Sequence, residues 1–413
     1  MNAAAKKIMQ RIENLAKISE EPGQLTRTFV STAMRRANDL VAKWMREAGM
    51  TVREDAIGNL IGRYPSKNSP TKTFLLGSHL DTVRDAGKFD GPLGVLIAIA
   101  CVQHLHQEKI QLPFAIEVVG FADEEGVRYQ SAYLGSKVLA GNFNPADLKR
   151  VDANGISMAD AICNFGGNPE QFKNSRANLK QILGYTEVHI EQGPVLEKKN
   201  QAVGIVTAIA GQTRAKIIFT GRAGHAGTTP MSLRKDALCA AAEFILAVEN
   251  CAKKISDLVA TIGQIETKPG ASNVIPATVI LSLDVRHQSD PRRNAACEHL
   301  KTSAQKIAHK RKLKIFWELI QETAAVPCST PLSNLLAQAA RKHQPKISKL
   351  PSGAGHDAAV ISKIAPVAML FVRCKSGISH HPDESVKVED VRVAINVMND
   401  FLTAVAASRQ SAD

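Results

Sequence analysis

Three histidines and four acidic residues stand where loops leave apolar segments of the chain. His79 and Asp81 follow the run Thr73–Gly77, and Asp90 precedes an apolar stretch that opens at Pro92. Glu124 and Glu125 follow Phe114–Phe121, His189 closes Tyr185–Ile190, and His380 lies in the loop after Val367–Val372. Imidazoles and carboxylates are ligands for borderline divalent cations, and one carboxylate can bridge two of them. A further carboxylate beside the ligands could take a proton from water. Glu124 and Glu125 are adjacent, so one can bind metal while the other stays free as a base. Asp81, two residues after His79, can accept the second ring N–H of that histidine and fix its tautomer. Each residue alone has a plainer explanation, a solvated strand-end imidazole or an exposed acidic turn. Their joint arrival is harder to dismiss.

For that arrival the flanking segments must be strands with their C-terminal ends on one edge. Thr73–Gly77, Phe114–Phe121, Tyr185–Ile190 and Val367–Val372 read as buried strands, and 4–18, 32–48, 92–105, 331–342 and 389–407 read as helices. Asp90-Gly91-Pro92 is a helix-start signal, with an acceptor near the N-cap and proline in the first turn. Strands alternating with helices predict an α/β fold with a largely parallel or mixed sheet, whose strand ends gather ligands. The pattern changes near Gly211. Strands are expected over Thr213–Thr220, Val279–Arg286 and Leu313–Leu319, with helices over 236–254 and 292–311. Val279, Leu281, Leu283 and Val285 alternate with Ser282, Asp284 and Arg286, so one sheet face is covered. The expected organisation is an α/β domain, 1–211 plus 325–413, interrupted by an α+β domain, 212–324.

The 413 residues carry 52 Lys+Arg against 39 Asp+Glu, a formal charge of +13. The basic residues are scattered, and only 5% of residues are aromatic. Single-strand binders need basic stretches interleaved with stacking aromatics, so nucleic acid is not an expected partner. Seven cysteines form no closely spaced pair, which excludes a disulfide framework and a thiolate zinc site and suits a reducing compartment. No apolar run is long enough to span a membrane, and the opening segment lacks an apolar signal core. A cytoplasmic location is the expectation.

Eight ordered segments then carry a resemblance. They are Gly77-Ser78-His79-Leu80-Asp81-Thr82-Val83, Phe89-Asp90-Gly91, Asp123-Glu124-Glu125-Gly126-Val127-Arg128 and His189-Ile190-Glu191-Gln192-Gly193-Pro194. Gly224–Met231, Asp284-Val285-Arg286, Ser352–Ala358 and Ser379-His380-His381-Pro382-Asp383-Glu384 continue the series. Together they resemble the M20-type metal-dependent amidohydrolases of the ureido-hydrolysing branch. That branch holds allantoate amidohydrolases, N-carbamoyl-L-amino-acid hydrolases and β-ureidopropionases.

The resemblance implies a di-metal aminopeptidase-like catalytic domain with an inserted ferredoxin-like dimerisation domain. It implies His79, Asp90, Glu125, His189 and His380 as ligands of two divalent ions, zinc, manganese or cobalt, with Asp90 bridging. His380 is selected over His381 because the family's last ligand directly follows a serine. It implies Glu124 as general base and His225 as the group that polarises the substrate carbonyl in the partner subunit of a homodimer; Asp81, read above as the residue that orients His79, completes the catalytic candidates. Gln192, Asn273, Arg286 and the Gly355 backbone would bind a small ureido carboxylate, and Arg214 is a weaker candidate for the anion. The segments Glu125–Ser131 and Ala210–Arg214 look more like allantoate enzymes than carbamoylases, with Tyr129 and Ala132 departing from the expected residues. N-carbamoyl-L-amino-acid hydrolysis is the alternative reading, and an M20-type peptidase or a non-catalytic binding protein the lesser ones.

Overall fold

A computed structural model describes residues 2–67, 72–178 and 181–410; residues 1 and 411–413, the ends of the outer domain read from the sequence, lie outside them. The chain divides into two compact units. One is Met1–Thr207 with Cys328–Leu350 and Gly355–Asp413, and the other is Ala208–Pro327 with Pro351–Ala354.

The outer unit is built on a mixed sheet. Its strands run in the order Thr51–Glu54, Leu60–Tyr64, Ala115–Phe121, Thr73–His79, Ile182–Ile190, Val367–Val372 and Val203–Ile209. Ser348–Ser352 also pairs with Val203–Ile209. The four central strands are parallel to one another. Their side chains are buried almost without exception, because helices cover such strands on both faces. The parallel register brings His79 opposite Phe121, and His189 opposite Phe371. The C-terminal ends of four strands thus share one edge.

Pro92–Gln107 packs on the central strands and is buried over most of its length. Its start differs from the sequence expectation. The N-cap is Gly91, with φ 82° and no side-chain cap, so Asp90 does not cap the helix. Glycine is required at 91 twice over: the φ is left-handed, and a Cβ there would lie 2.5 Å from the His79 ring. The helix Val388–Gln410 buries Val391, Ala394, Ile395, Met398, Phe401, Leu402 and Val405, one apolar stripe at helical spacing. Phe401 meets Phe74 edge-on at 5.9 Å, and Phe74 lies 5.8 Å from Phe114. Each such ring contributes about 1.5–3 kcal/mol by leaving water.

The inserted unit carries an antiparallel sheet, ordered Ile265–Lys268, Thr278–His287, Gly211–Thr220 and Lys314–Thr323, with Val259–Thr261 also pairing Thr278–His287. The helices Ala237–Lys254 and Asp290–Lys310 cover one face. Val279, Leu281, Leu283 and Val285 all point into that core. The two short edge strands were not foreseen. Exposed at most positions, they have no inward apolar alternation to read. No helix among the described residues is long and apolar enough to cross a membrane.

Candidate metal centre and active site

The strand ends of the outer unit bring His79, Asp90, Glu125, His189 and His380 around one carboxylate. Asp90 Oδ1 lies 3.1 Å from His189 Nε2 and 3.9 Å from His79 Nε2. Asp90 Oδ2 lies 2.9 Å from His380 Nε2, which is itself 3.4 Å from Glu125 Oε1. The two oxygens therefore face two separate donor groups, His79 with His189 and His380 with Glu125. Within each set of three, donor atoms can be chosen that all lie within 4.8 Å of one another. Ligands at ~2.0–2.2 Å from one ion sit up to about 4.3 Å apart, so each set can close on a cation with small adjustment.

The histidine tautomers follow from their partners. His79 Nδ1 lies 3.0 Å from the Asp81 carbonyl, and His189 Nδ1 lies 3.0 Å from the Ile190 carbonyl. A carbonyl only accepts, so both Nδ1 atoms carry a proton, and both Nε2 atoms face Asp90. His380, with φ 56°, is half exposed and aims Nε2 the same way. His381, exposed, turns to Asp383 instead. The electrostatics favour positive charge here. Burial alone would raise the Asp90 carboxyl, but His189, His380 and His79 hold it well below the ordinary range. Burial pushes Glu124 well up, reinforced by the charge of Glu125 and opposed by His79. Asp123 is pushed up by burial and by Asp81. Crowded carboxylates and two oriented imidazoles make a donor set that fits divalent cations.

Asp81 organises this edge. Its Oδ1 accepts the Glu124 N–H at 3.0 Å and lies 3.4 Å from His79 Nδ1, while its Oδ2 accepts the Glu125 N–H at 3.1 Å. One carboxylate thus orients a histidine and the turn that carries both glutamates. Gln192, with φ 55°, donates its amide to both Asp90 oxygens at 3.2 Å and to Ser379 Oγ at 3.2 Å. Its Oε1 is buried without a partner among the described residues.

Two residues went unread as contributors. Glu384 accepts the N–H groups of Phe89 at 2.7 Å and Asp90 at 3.1 Å, and the Ser379 hydroxyl at 3.0 Å. It ties the loop of one ligand to the loop of another. Glu187 lies on the same strand two residues before His189 and hence on the same face. It accepts from Ser78 at 3.2 Å, Tyr185 at 3.1 Å and the Ala358 N–H at 3.0 Å, and it groups with His189 and His356 as potential ligands. A glutamate inside the apolar strand Tyr185–Ile190 was the available signal. His356 is buried and packs edge-on against His189 at 4.5 Å.

In the inserted unit the sequence candidates separate. His225 pairs with Val274 in a two-residue ladder, and the Asn273 carbonyl accepts the Ala226 N–H at 2.9 Å, so His225 and Asn273 are neighbours. Both are exposed. Arg286 lies elsewhere. Its Nε and Nη2 donate to Asp284 at 3.0 Å each, and Nη1 donates to the Gly353 carbonyl at 2.7 Å. Arg214 and Gln212 converge on the same Asp284 carboxylate, at 3.2 and 2.7 Å. Burial works to raise Asp284, but Arg286, Gln212 and Arg214 outweigh it and hold the carboxyl below its ordinary value.

Residues 75–404 match the description of peptidase family M20/M25/M40. The chain belongs to that family. It is 40% identical over 393 residues to an N-carbamoyl-L-amino acid amidohydrolase of Geobacillus stearothermophilus, covering 95% of this chain and 96% of that one. It is also 40% identical over 417 residues to allantoate deiminase 1 of Glycine max, covering 93% and 86%. A solved hydantoinase/carbamoylase family amidase of Burkholderia ambifaria superposes with a TM-score of 0.91 at 33% identity, over 97% of each chain. The M20 family is metal-dependent, which accords with the clustered donors around Asp90.

Proposed function

We propose that this chain is a metal-dependent amidohydrolase that cleaves a ureido C–N bond of a small carboxylate, and that its substrate is allantoate, converted to ureidoglycine, ammonia and carbon dioxide. The observation that carries the reading is Asp90, whose two oxygens face separate pairs of donors within the outer unit. His79, Asp90 and His189 would hold one divalent ion, and Asp90, Glu125 and His380 a second; zinc, manganese and cobalt all suit these ligands. Such ions polarise a carbonyl and acidify the attacking water.

The chain's own groups supply the rest. Glu124 takes the proton of the attacking water and returns it to the leaving nitrogen. Asp81 keeps Glu124 and Glu125 in register through their backbone N–H groups. Gln192 has a buried, unpartnered amide oxygen that can accept a ureido N–H. Arg286 has five N–H donors, of which three are engaged, so its outer edge keeps the pair that grips a carboxylate bidentately. Asn273 and His225 would act on the substrate from a second copy of the chain, His225 polarising the carbonyl. In support, Thr220 pairs with Thr278 and Gln212 with Arg286, and His225 lies beyond the Thr220 end. Eight residues of strand span roughly 26 Å at ~3.3 Å each, far longer than a small ureido acid. One copy therefore cannot present both ends of its inserted unit to one substrate.

Allantoate is preferred to N-carbamoyl amino acids on two grounds. The segments Glu125–Ser131 and Ala210–Arg214 resemble allantoate enzymes, whereas overall identity, 40% to a relative of each activity, favours neither. The side chains gathered at the centre are polar, which suits a substrate bearing polar ureido arms rather than an apolar side chain. The seven unpaired cysteines suit a reducing cytoplasm. Ammonia release by the purified protein, supplied in turn with Mn²⁺, Zn²⁺ and Co²⁺, tests the reading. Allantoate is expected to exceed every N-carbamoyl-L-amino acid of a panel. Preference for an N-carbamoyl amino acid would replace the substrate, and no release from any ureido compound would overturn the function.

A further inference from the structure

Tyr133 lies beside the base and the Gly355 turn, and no part of the account above uses it. Its backbone N–H donates to the Glu124 carbonyl at 3.1 Å, closing the loop that begins at the proposed base. It adopts φ 63°, in the left-handed region that a bulky residue enters at a cost of about 1–3 kcal/mol. That conformation throws the phenol over the Gly355 backbone, where any side chain would run into the Tyr133 hydroxyl. Gly355 is the backbone candidate for substrate contact, and only glycine leaves room there for the phenol. No hydrogen bond of the hydroxyl itself is seen among the described residues, and the side chain is only half buried. Burial, then the charges of Glu124, Asp357, Glu125 and Glu187, push the phenol above its ordinary pKa, so it stays an O–H donor across the working range.

A half-buried donor with no partner among the described residues, held there by a strained backbone, is placed to donate to a bound molecule. We propose that the Tyr133 hydroxyl donates a hydrogen bond to the ureido oxygen of the substrate, beside Glu124 and over Gly355. The proposal rests on the ureido-hydrolase reading. Its role is to stabilise charge that grows on that oxygen, so it acts more on turnover than on ground-state binding.

The test is the metal-loaded Tyr133→Phe protein, which removes one oxygen and keeps the ring over Gly355. We expect kcat for the best ureido substrate to fall by roughly 10²-fold, with KM changed by far less and with metal content and Tm unmoved. A merely structural tyrosine would shift Tm and leave kcat. Gly355→Ala, which displaces the phenol, should lower activity much less in the Tyr133→Phe background than in the wild type. Unchanged kcat in Tyr133→Phe, with the wild type active, overturns this proposal and leaves the hydrolase reading intact. If the wild type hydrolyses no ureido compound, the hydrolase reading fails and this contact is overturned with it.

Discussion

The two units use their polar residues in opposite ways. In the outer unit, Asp81, Asp90, Asp123, Glu124, His79 and His189 are all buried and pressed together at one sheet edge. In the inserted unit His225, Asn273 and Arg214 are exposed, Arg286 is partly so, and the candidates sit at opposite ends of one strand pair. Crowding buried carboxylates is unfavourable unless positive charge joins them, so the outer cluster calls for cations. Exposed residues spread along a sheet cost little to keep, but they cannot make a site alone. The first arrangement fits metal, and the second fits the proposal that a second copy completes the site.

Removing the pivot of the crowded cluster should have the largest effect. Asp90→Asn takes away the charge that both donor groups share, and kcat/KM for ureido hydrolysis should fall by roughly 10³-fold or more. A loss under tenfold would remove the bridging role.

A buried carboxylate with ordinary partners gives the contrast. Asp55 accepts from Ile57 N and Asn59 N at 3.0 Å each and from the Asn59 side chain at 2.6 Å, yet burial pushes it up to about 6. The folded state then holds a proton that the unfolded chain has lost above its lower pKa. Stability should therefore fall as pH rises from about 4 to about 6, by about 3 kcal/mol, and stay level with respect to this group above that range. Denaturant melts of wild type and Asp55→Asn across this range check it; the same slope in both would contradict it.

Glu384→Gln tests whether the loops, and not only the ligands, set metal affinity. The amide is a poorer acceptor for the Phe89 and Asp90 N–H groups, and affinity should drop about 10–100-fold in a chelator competition. The smallest signal concerns the dispersed surface. Glu124→Gln alone should be slower by about 10²–10⁴, and His225→Ala should also be impaired. Mixing the two inactive chains should restore up to about a quarter of wild-type activity if each site draws His225 from the other copy, since one site of each mixed dimer is then intact. No recovery after subunit exchange would confine His225 to its own chain.

The strands that deliver the cluster were legible because buried runs such as Phe114–Phe121 and Val367–Val372 end sharply in polar loops. Thr278–His287 was legible from its strict alternation. Val203–Ile209 and Ser348–Ser352 were not, one interrupted by Gly204 and the other carrying Pro351, which demotes a run from strand. The ligand types could be proposed from residue chemistry, but Glu384 and Glu187 act through hydrogen bonds that only folding creates. Asp90 was misread as a cap because acids before a proline often are one; here Gly91 takes that position and frees the carboxylate for the histidines.

The most direct measurement is metal content with anomalous scattering from crystals of the loaded protein. Two peaks per chain are expected, one between Asp90, His79 and His189 and one between Asp90, Glu125 and His380. An active protein with no ion on Asp90, or with ions bound elsewhere, would contradict the account.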